Sequence, residues 1–73
     1  MGGEGWVTVQ ADPFGTVYVD GVEVGVTPVV RYSVPPGRHT IKVERAGYRT
    51  VTEPVQVDAG NTVNKRFTLI PEG

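Results

Sequence analysis

The chain has 73 residues, a formal net charge of −1 and no cysteine, which leaves room for one small domain and excludes disulfides and thiolate metal sites. Fifteen valines against a single leucine, with eight threonines and two isoleucines, make 25 of the 73 residues β-branched, a composition that disfavours helices and predicts an all-β domain. The near-neutral balance offers no general attraction to nucleic acid, and no segment is long and apolar enough to insert in a membrane.

Met1-Gly2-Gly3 and Pro71-Glu72-Gly73 read as linker edges of a domain taken from a longer chain, so residues 1–5 and 71–73 are expected to flank a single domain over 6–70. Period-two alternation then begins at once. Val7, Val9 and Ala11 share one face, with Trp6, Thr8 and Gln10 on the other. After the Asp12-Pro13-Phe14-Gly15 break, Val17 and Val19 alternate with Thr16, Tyr18 and Asp20. Asp20-Gly21 separates two apolar runs and predicts a two-residue type I′ hairpin, in which both central residues need positive φ. The return strand is expected over Val22 to Val26, closed by Thr27-Pro28.

A fourth strand places Val30, Tyr32 and Val34 inward and Arg31 and Ser33 outward, and Pro35-Pro36-Gly37 ends it. His39, Ile41 and Val43 then face inward, opposite Thr40, Lys42 and Glu44. Gly47-Tyr48 follows a turn, with the Tyr48 ring expected to join the core at a corner. Val51, Val55 and Val57 form a sixth segment whose Pro54 predicts an edge or a bulge, since proline cannot donate to a ladder. Asp58-Ala59-Gly60-Asn61 makes the last turn before Val63, Phe67 and Leu69. Seven short strands with turns every eight to twelve residues fit a small Greek-key β-sandwich, immunoglobulin-like or prealbumin-like, of antiparallel strands with no helix; a closed five-stranded barrel is the alternative.

The turn blocks are more specific than the strands. Gly15-Thr16-Val17-Tyr18-Val19-Asp20-Gly21, Gly25-Val26-Thr27-Pro28, Pro35-Pro36-Gly37-Arg38-His39-Thr40-Ile41-Lys42-Val43, Gly47-Tyr48 and finally Val55 to Gly60 occur in the order and spacing of the PEGA domain family, which the chain resembles from about Val7 to Leu69. The stretch from Thr27 to Gly37 is slightly longer than usual in that family, which leaves the register of the fourth strand open. The naming turn reads Pro35-Pro36-Gly37-Arg38 where the family has Pro-Glu-Gly-Ala as one form. The resemblance implies a non-enzymatic accessory or spacer module of a larger bacterial or archaeal surface or envelope protein, extracytoplasmic in location. Its partners would be neighbouring domains or another protein, with no cofactor. The recognisable positions are mainly turn residues, which report fold and not chemistry.

His39, the only histidine, can act as a general base with Asp20, Asp58 or Ser33, but its place beside Ile41 and Val43 favours packing. Asp12, Asp20 and Asp58 adjoin turn residues and are expected to cap local backbone N–H groups, since calcium needs six or more converging oxygens. Lys65 falls on the inward phase between Val63 and Phe67, which suggests a stem that snorkels to water, a bulge, or an isopeptide bond to Asn or Asp. Trp6 and Tyr18 both read outward and would give a stacking platform for a cell-wall glycan if they share one face. Arg38, Lys42, Arg45 and Arg49 surround the fifth strand and read as a solvated basic face, with acidic glycan or phosphate as the alternative ligand.

Charge is uneven along the chain. Residues 1–30 hold four acids and no base, whereas residues 31–73 hold seven bases against four acids. The halves carry −4 and +3. Interleaving of strands from the two halves would erase that difference.

Overall fold

A computed structural model describes residues 3–72. It contains seven strands: β1 (Gly5–Asp12), β2 (Thr16–Val19), β3 (Val22–Val26), β4 (Val29–Val34), β5 (Gly37–Glu44), β6 (Val51–Val57) and β7 (Thr62–Thr68). They form two sheets, ordered β4-β1-β7 and β3-β2-β5-β6, and no helix occurs among the described residues. No ladder joins the two sheets in that region, so the fold is a β-sandwich and not the closed barrel.

Each strand runs opposite to the one before it. With seven such strands the chain therefore enters at one end of the sandwich and leaves at the other. The same parity makes β1 and β7 run in one direction, and they are sheet neighbours, paired in parallel from Trp6↔Thr62 to Asp12↔Thr68. Uniformly antiparallel pairing was expected. It fails at this pair because the first and last of an odd number of alternating strands must point the same way.

The inward phase of β1, β2 and β5 is as the alternation predicts. Val7, Val9, Val17, Ile41, Val43 and Val57 are fully enclosed, joined by Val19, Val34, Val55, Phe67 and Leu69. Among the described residues eleven make this core and eight are valine, because a thin two-layer interior suits short branched side chains on pleated strands. The Asp20-Gly21 hairpin also forms as expected, with φ of 52° and 83° at its two central residues. Pro54 lies on β6, an edge strand of its sheet, where a missing N–H costs no ladder bond. Gly15 and Thr27 tie two turns together: Thr27 N–H donates to Gly15 O at 2.8 Å, and Gly15 N–H donates to the buried Thr27 Oγ1 at 3.1 Å.

β4 departs from its expected phase. Val7 pairs with Tyr32 and Val9 with Val29, so two steps on β1 face three on β4 and one residue is extra. This bulge, with Arg31 at φ 53°, turns Val30 out to solvent at 64% exposure and lets Val29 take the inward position. Tyr32 keeps the core phase but sits at the border, 36% exposed.

The edges of the domain are also shorter than the sequence suggests. Residues 1, 2 and 73 lie outside the described residues. Glu4 and Gly5, assigned to a linker, belong to the fold: Gly5 is buried and opens β1, and Gly60 N–H donates to Glu4 O at 2.8 Å. At the far end Pro71 bridges Tyr48, and Glu72 N–H donates to Gly47 O at 2.9 Å.

The two charged halves of the chain do not interleave. β3 and β2 stand on one side of their sheet and β5 and β6 on the other, while β4 and β1 precede β7 in the second sheet. β3 meets β4 and β6 meets β7 across the sandwich, with β1 in the middle of its sheet and also against β6, so β1 to β4 lie towards one flank and β5 to β7 towards the other.

Candidate functional site

The densest polar cluster gathers at the end where the chain enters. The β2–β3 turn brings Asp20 beside the first residues of β5, and the β4–β5 turn brings Pro35 beneath them. His39 Nδ1–H donates to Asp20 Oδ2 at 2.5 Å, and Nε2–H donates to Pro35 O at 2.7 Å. Asp20 Oδ1 accepts from Thr40 N–H at 2.9 Å, and Asp20 N–H donates to Thr40 O at 2.8 Å. Carboxylate and carbonyl are both acceptors, so the protonated imidazolium is the form that satisfies both contacts. The His39 side chain is only 11% exposed, while Asp20 is half-exposed.

The hydrogen bond to Asp20, then the one to Pro35 O, holds the His39 pKa above its ordinary 6.5. Asp20 is held below its ordinary 3.8 first by His39 and then by the Thr40 N–H. The chemical consequence is specific. A general base needs a free lone pair on the imidazole, and here both nitrogens are engaged. Of the three partners considered for His39, Asp20 is the one brought to it; Ser33 instead donates to Glu4 Oε1 at 2.6 Å. Asp20 does cap backbone, but across the sheet at Thr40 and not within its own turn.

The His39 clamp links stability to pH. The His39 contribution is fully present below 6.5 and is lost as pH rises through its raised folded value. The Asp20 contribution is present above 3.8 and is lost as pH falls through its lowered folded value. Both act together between those two limits. The urea midpoint is expected to fall between pH 5.5 and pH 9 in the wild-type chain. His39→Ala should cost about 1–2 kcal/mol at pH 5.5, with the half-exposed Asp20 keeping the figure low, and should show little of that fall. A wild-type midpoint flat over this range would remove the clamp.

The aromatic platform does not form. Trp6 lies on β1 and Tyr18 on β2, which belong to different sheets, so the two rings project from opposite outer faces of the sandwich. Each is covered by a cation: the Arg31 guanidinium stands 4.6 Å from the Trp6 ring centroid and Lys42 Nζ 4.4 Å from that of Tyr18. The β4 bulge places Arg31 there, its N–H donating to Thr8 Oγ1 at 3.0 Å. The Glu44 charge, more than any other group, raises the Tyr18 pKa.

The basic residues are likewise dispersed. Arg38 begins β5 near the end where the chain enters, while Arg45 and Arg49 follow β5 at the opposite end. Lys42 also pairs with Glu44 at 3.3 Å. Arg45 is half-buried: its guanidinium lies 4.1 Å from the Phe14 centroid and 5.6 Å from that of Tyr48, Nη1 donates to Phe14 O at 3.5 Å, and Nε is enclosed without a partner. Tyr48 packs against the core as its corner position predicts.

Lys65 keeps the inward phase with no bulge, paired in register with Val9. Its Nζ lies 2.5 Å from Glu53 Oε2, and Glu53 stands opposite Ile41 on the inward phase of β6. The two side chains meet across the seam between the β6 and β7 edges, each about one-third exposed (39% for Glu53 and 34% for Lys65). The Asn or Asp that an isopeptide bond was expected to use is not this neighbour. Sequence reading missed Glu53, although its phase beside Val51 and Val55 carries the signal.

Among the described residues no group of three or more His, Cys, Asp or Glu is placed to hold a metal ion. Surface depressions open beside Glu4, Ser33 and Pro35, and beside Gln10, Phe14, Thr27 and Arg66; neither includes His39. The turn residues Asp20, Gly21, Gly25, Thr27, Pro28, Gly37, Gly47 and Gly60 all lie at strand ends, turns or bulges, with Gly25, Gly37, Gly47 and Gly60 at positive φ. A model of the PEGA domain matches residues 4–72. No curated protein matches the chain.

Proposed function

The chain belongs to the PEGA domain family, and from that premise we propose that it is a non-enzymatic accessory module that spaces or docks neighbouring parts of a larger surface or envelope protein. One observation carries the reading: the chain enters at one end of the sandwich and leaves at the other. The sandwich measures 47 Å along its long axis against 17 and 16 Å across. A module with its termini side by side decorates a chain; one with opposed termini lengthens it. The hydrogen bonds at Glu4 and Glu72 carry the ordered backbone to both ends, which limits hinging within the module. The engagement of both His39 ring nitrogens also favours a structural role for the residue that most invites a catalytic one.

Small-angle scattering of two copies joined end to end by a short linker tests this. The expected maximum dimension approaches twice the 47 Å of one copy. A pair folded side by side, with no gain in length, would reject the spacer reading. So would a small ligand bound specifically at micromolar affinity by the isolated domain.

A further inference from the structure

We infer that the domain bears load, resisting tension applied through its two ends by shear across the β1–β7 ladder. The inference rests on the spacer reading and adds a mechanical function to it.

Tension on a chain continued beyond both ends would draw β1 towards the end where it starts and β7 towards the end where it finishes. The two strands are parallel neighbours, so these opposed pulls slide one along the other. Seven registered pairs, Trp6↔Thr62 to Asp12↔Thr68, resist that sliding. The ladder continues beyond both limits: Trp6 N–H donates to Asn61 O at 3.0 Å, Gly60 N–H to Glu4 O at 2.8 Å, and Leu69 N–H to Asp12 O at 2.9 Å. Each backbone bond contributes only about 1 kcal/mol net. In shear they must yield together, whereas in peeling they yield one after another.

The surroundings favour shear over peeling. β1 is the central strand of its sheet, held on its other side by β4 through Gly5↔Val34, Trp6↔Ser33 and Val7↔Tyr32. Val7 and Val9 are fully enclosed and anchor it beneath the second sheet. β7 is an edge strand, but its exit is latched: Arg49 N–H donates to Ile70 O at 2.8 Å and Glu72 N–H to Gly47 O at 2.9 Å, around the Tyr48–Pro71 bridge. The seam beside β7 is closed by Lys65 and Glu53. Tension therefore reaches the ladder along its length and not at one end.

Single-molecule pulling in two geometries decides the matter. In the first, handles on the two termini load the ladder in shear. In the second, one handle stays on the N-terminus and the other is attached at Ala59→Cys. The chain has no cysteine of its own, and Ala59 is exposed in the β6–β7 turn at the end where β1 starts. Pulling there opens the β1–β7 ladder pair by pair. A matching urea midpoint for the unloaded Ala59→Cys chain establishes that its fold is intact. Terminal pulling is expected to unfold the domain in one step that releases about 190 Å of chain. At equal constant force it should be at least about fivefold slower than the peeling geometry, the factor that one additional bond held in the barrier would give. Equal rates in the two geometries, or faster unfolding from the termini, would overturn the inference. The scattering length of the tandem would still stand, since a spacer need not resist force.

Discussion

Replacing Ile41 with alanine is expected to remove about 2–5 kcal/mol of stability, a large share of the roughly 4–11 kcal/mol that a domain of this size holds in total. Ile41 is the largest of the fully enclosed side chains. It sits on β5, paired with Val19 of β2 on one side and Glu53 of β6 on the other. Most of its neighbours in the core are valines, already short, on strands fixed by their ladders. They cannot extend to fill the space left by the lost carbons, so the cavity term should approach its full size. With no disulfide to hold the chain, the loss appears directly in the urea midpoint. Arg38→Ala on the exposed face of the same strand should move that midpoint by no more than about 0.5 kcal/mol. If both substitutions cost the same, the core does not carry the stability.

Gly5→Ala is expected to cost about 3 kcal/mol, at the upper end of what overpacking usually brings. A Cβ at Gly5 would come within 2.2 Å of Val57 Cγ1 and 2.9 Å of Asp58 O. The second contact is with backbone, so a side-chain rotation at Val57 cannot relieve both. β1 would have to move away from β6, and with it the start of the β1–β7 ladder. Thermal unfolding of the variant measures the effect, and Gly3→Ala supplies the control because its Cβ would meet only Ala59 Cβ, at 3.5 Å. An unchanged midpoint for Gly5→Ala would show that the sheets do not approach this closely.

Much of this fold is legible in the residues themselves. Alternation places Val7, Val9, Val17, Val19, Ile41 and Val43 correctly because each side chain's face is a local property of an extended backbone. Asp20-Gly21 is legible for the same reason: its positive φ values belong to the two residues that need them. The phase of β4 is different. Val29 and Val30 are adjacent and identical, so only the partner strand decides which turns inward, and β1 chooses Val29. Trp6 and Tyr18 illustrate a second limit. Alternation states that both point outward from their own sheet but not that the sheets differ. The Lys65–Glu53 and His39–Asp20 pairs are separated by twelve and nineteen positions along the chain, and their meeting is a property of the topology. The parallel β1–β7 pair could have been reached by counting strands, since an odd number of alternations returns to the first direction.

The division of the sandwich into two flanks gives the net charge of −1 another meaning. Among the described residues, the flank of β1 to β4 carries four acids and Arg31, whereas that of β5 to β7 carries six bases and four acids. The near-zero total is therefore −3 beside +2, before the proton on His39 is counted. Transverse extents of 17 and 16 Å exceed the screening length of about 8 Å at physiological salt. A molecule approaching the β3–β4 side consequently meets a different balance of charge from one approaching the β6–β7 side. Seen end-on the module is close to neutral, but to its lateral neighbours it is handed, with an anionic side and a cationic one.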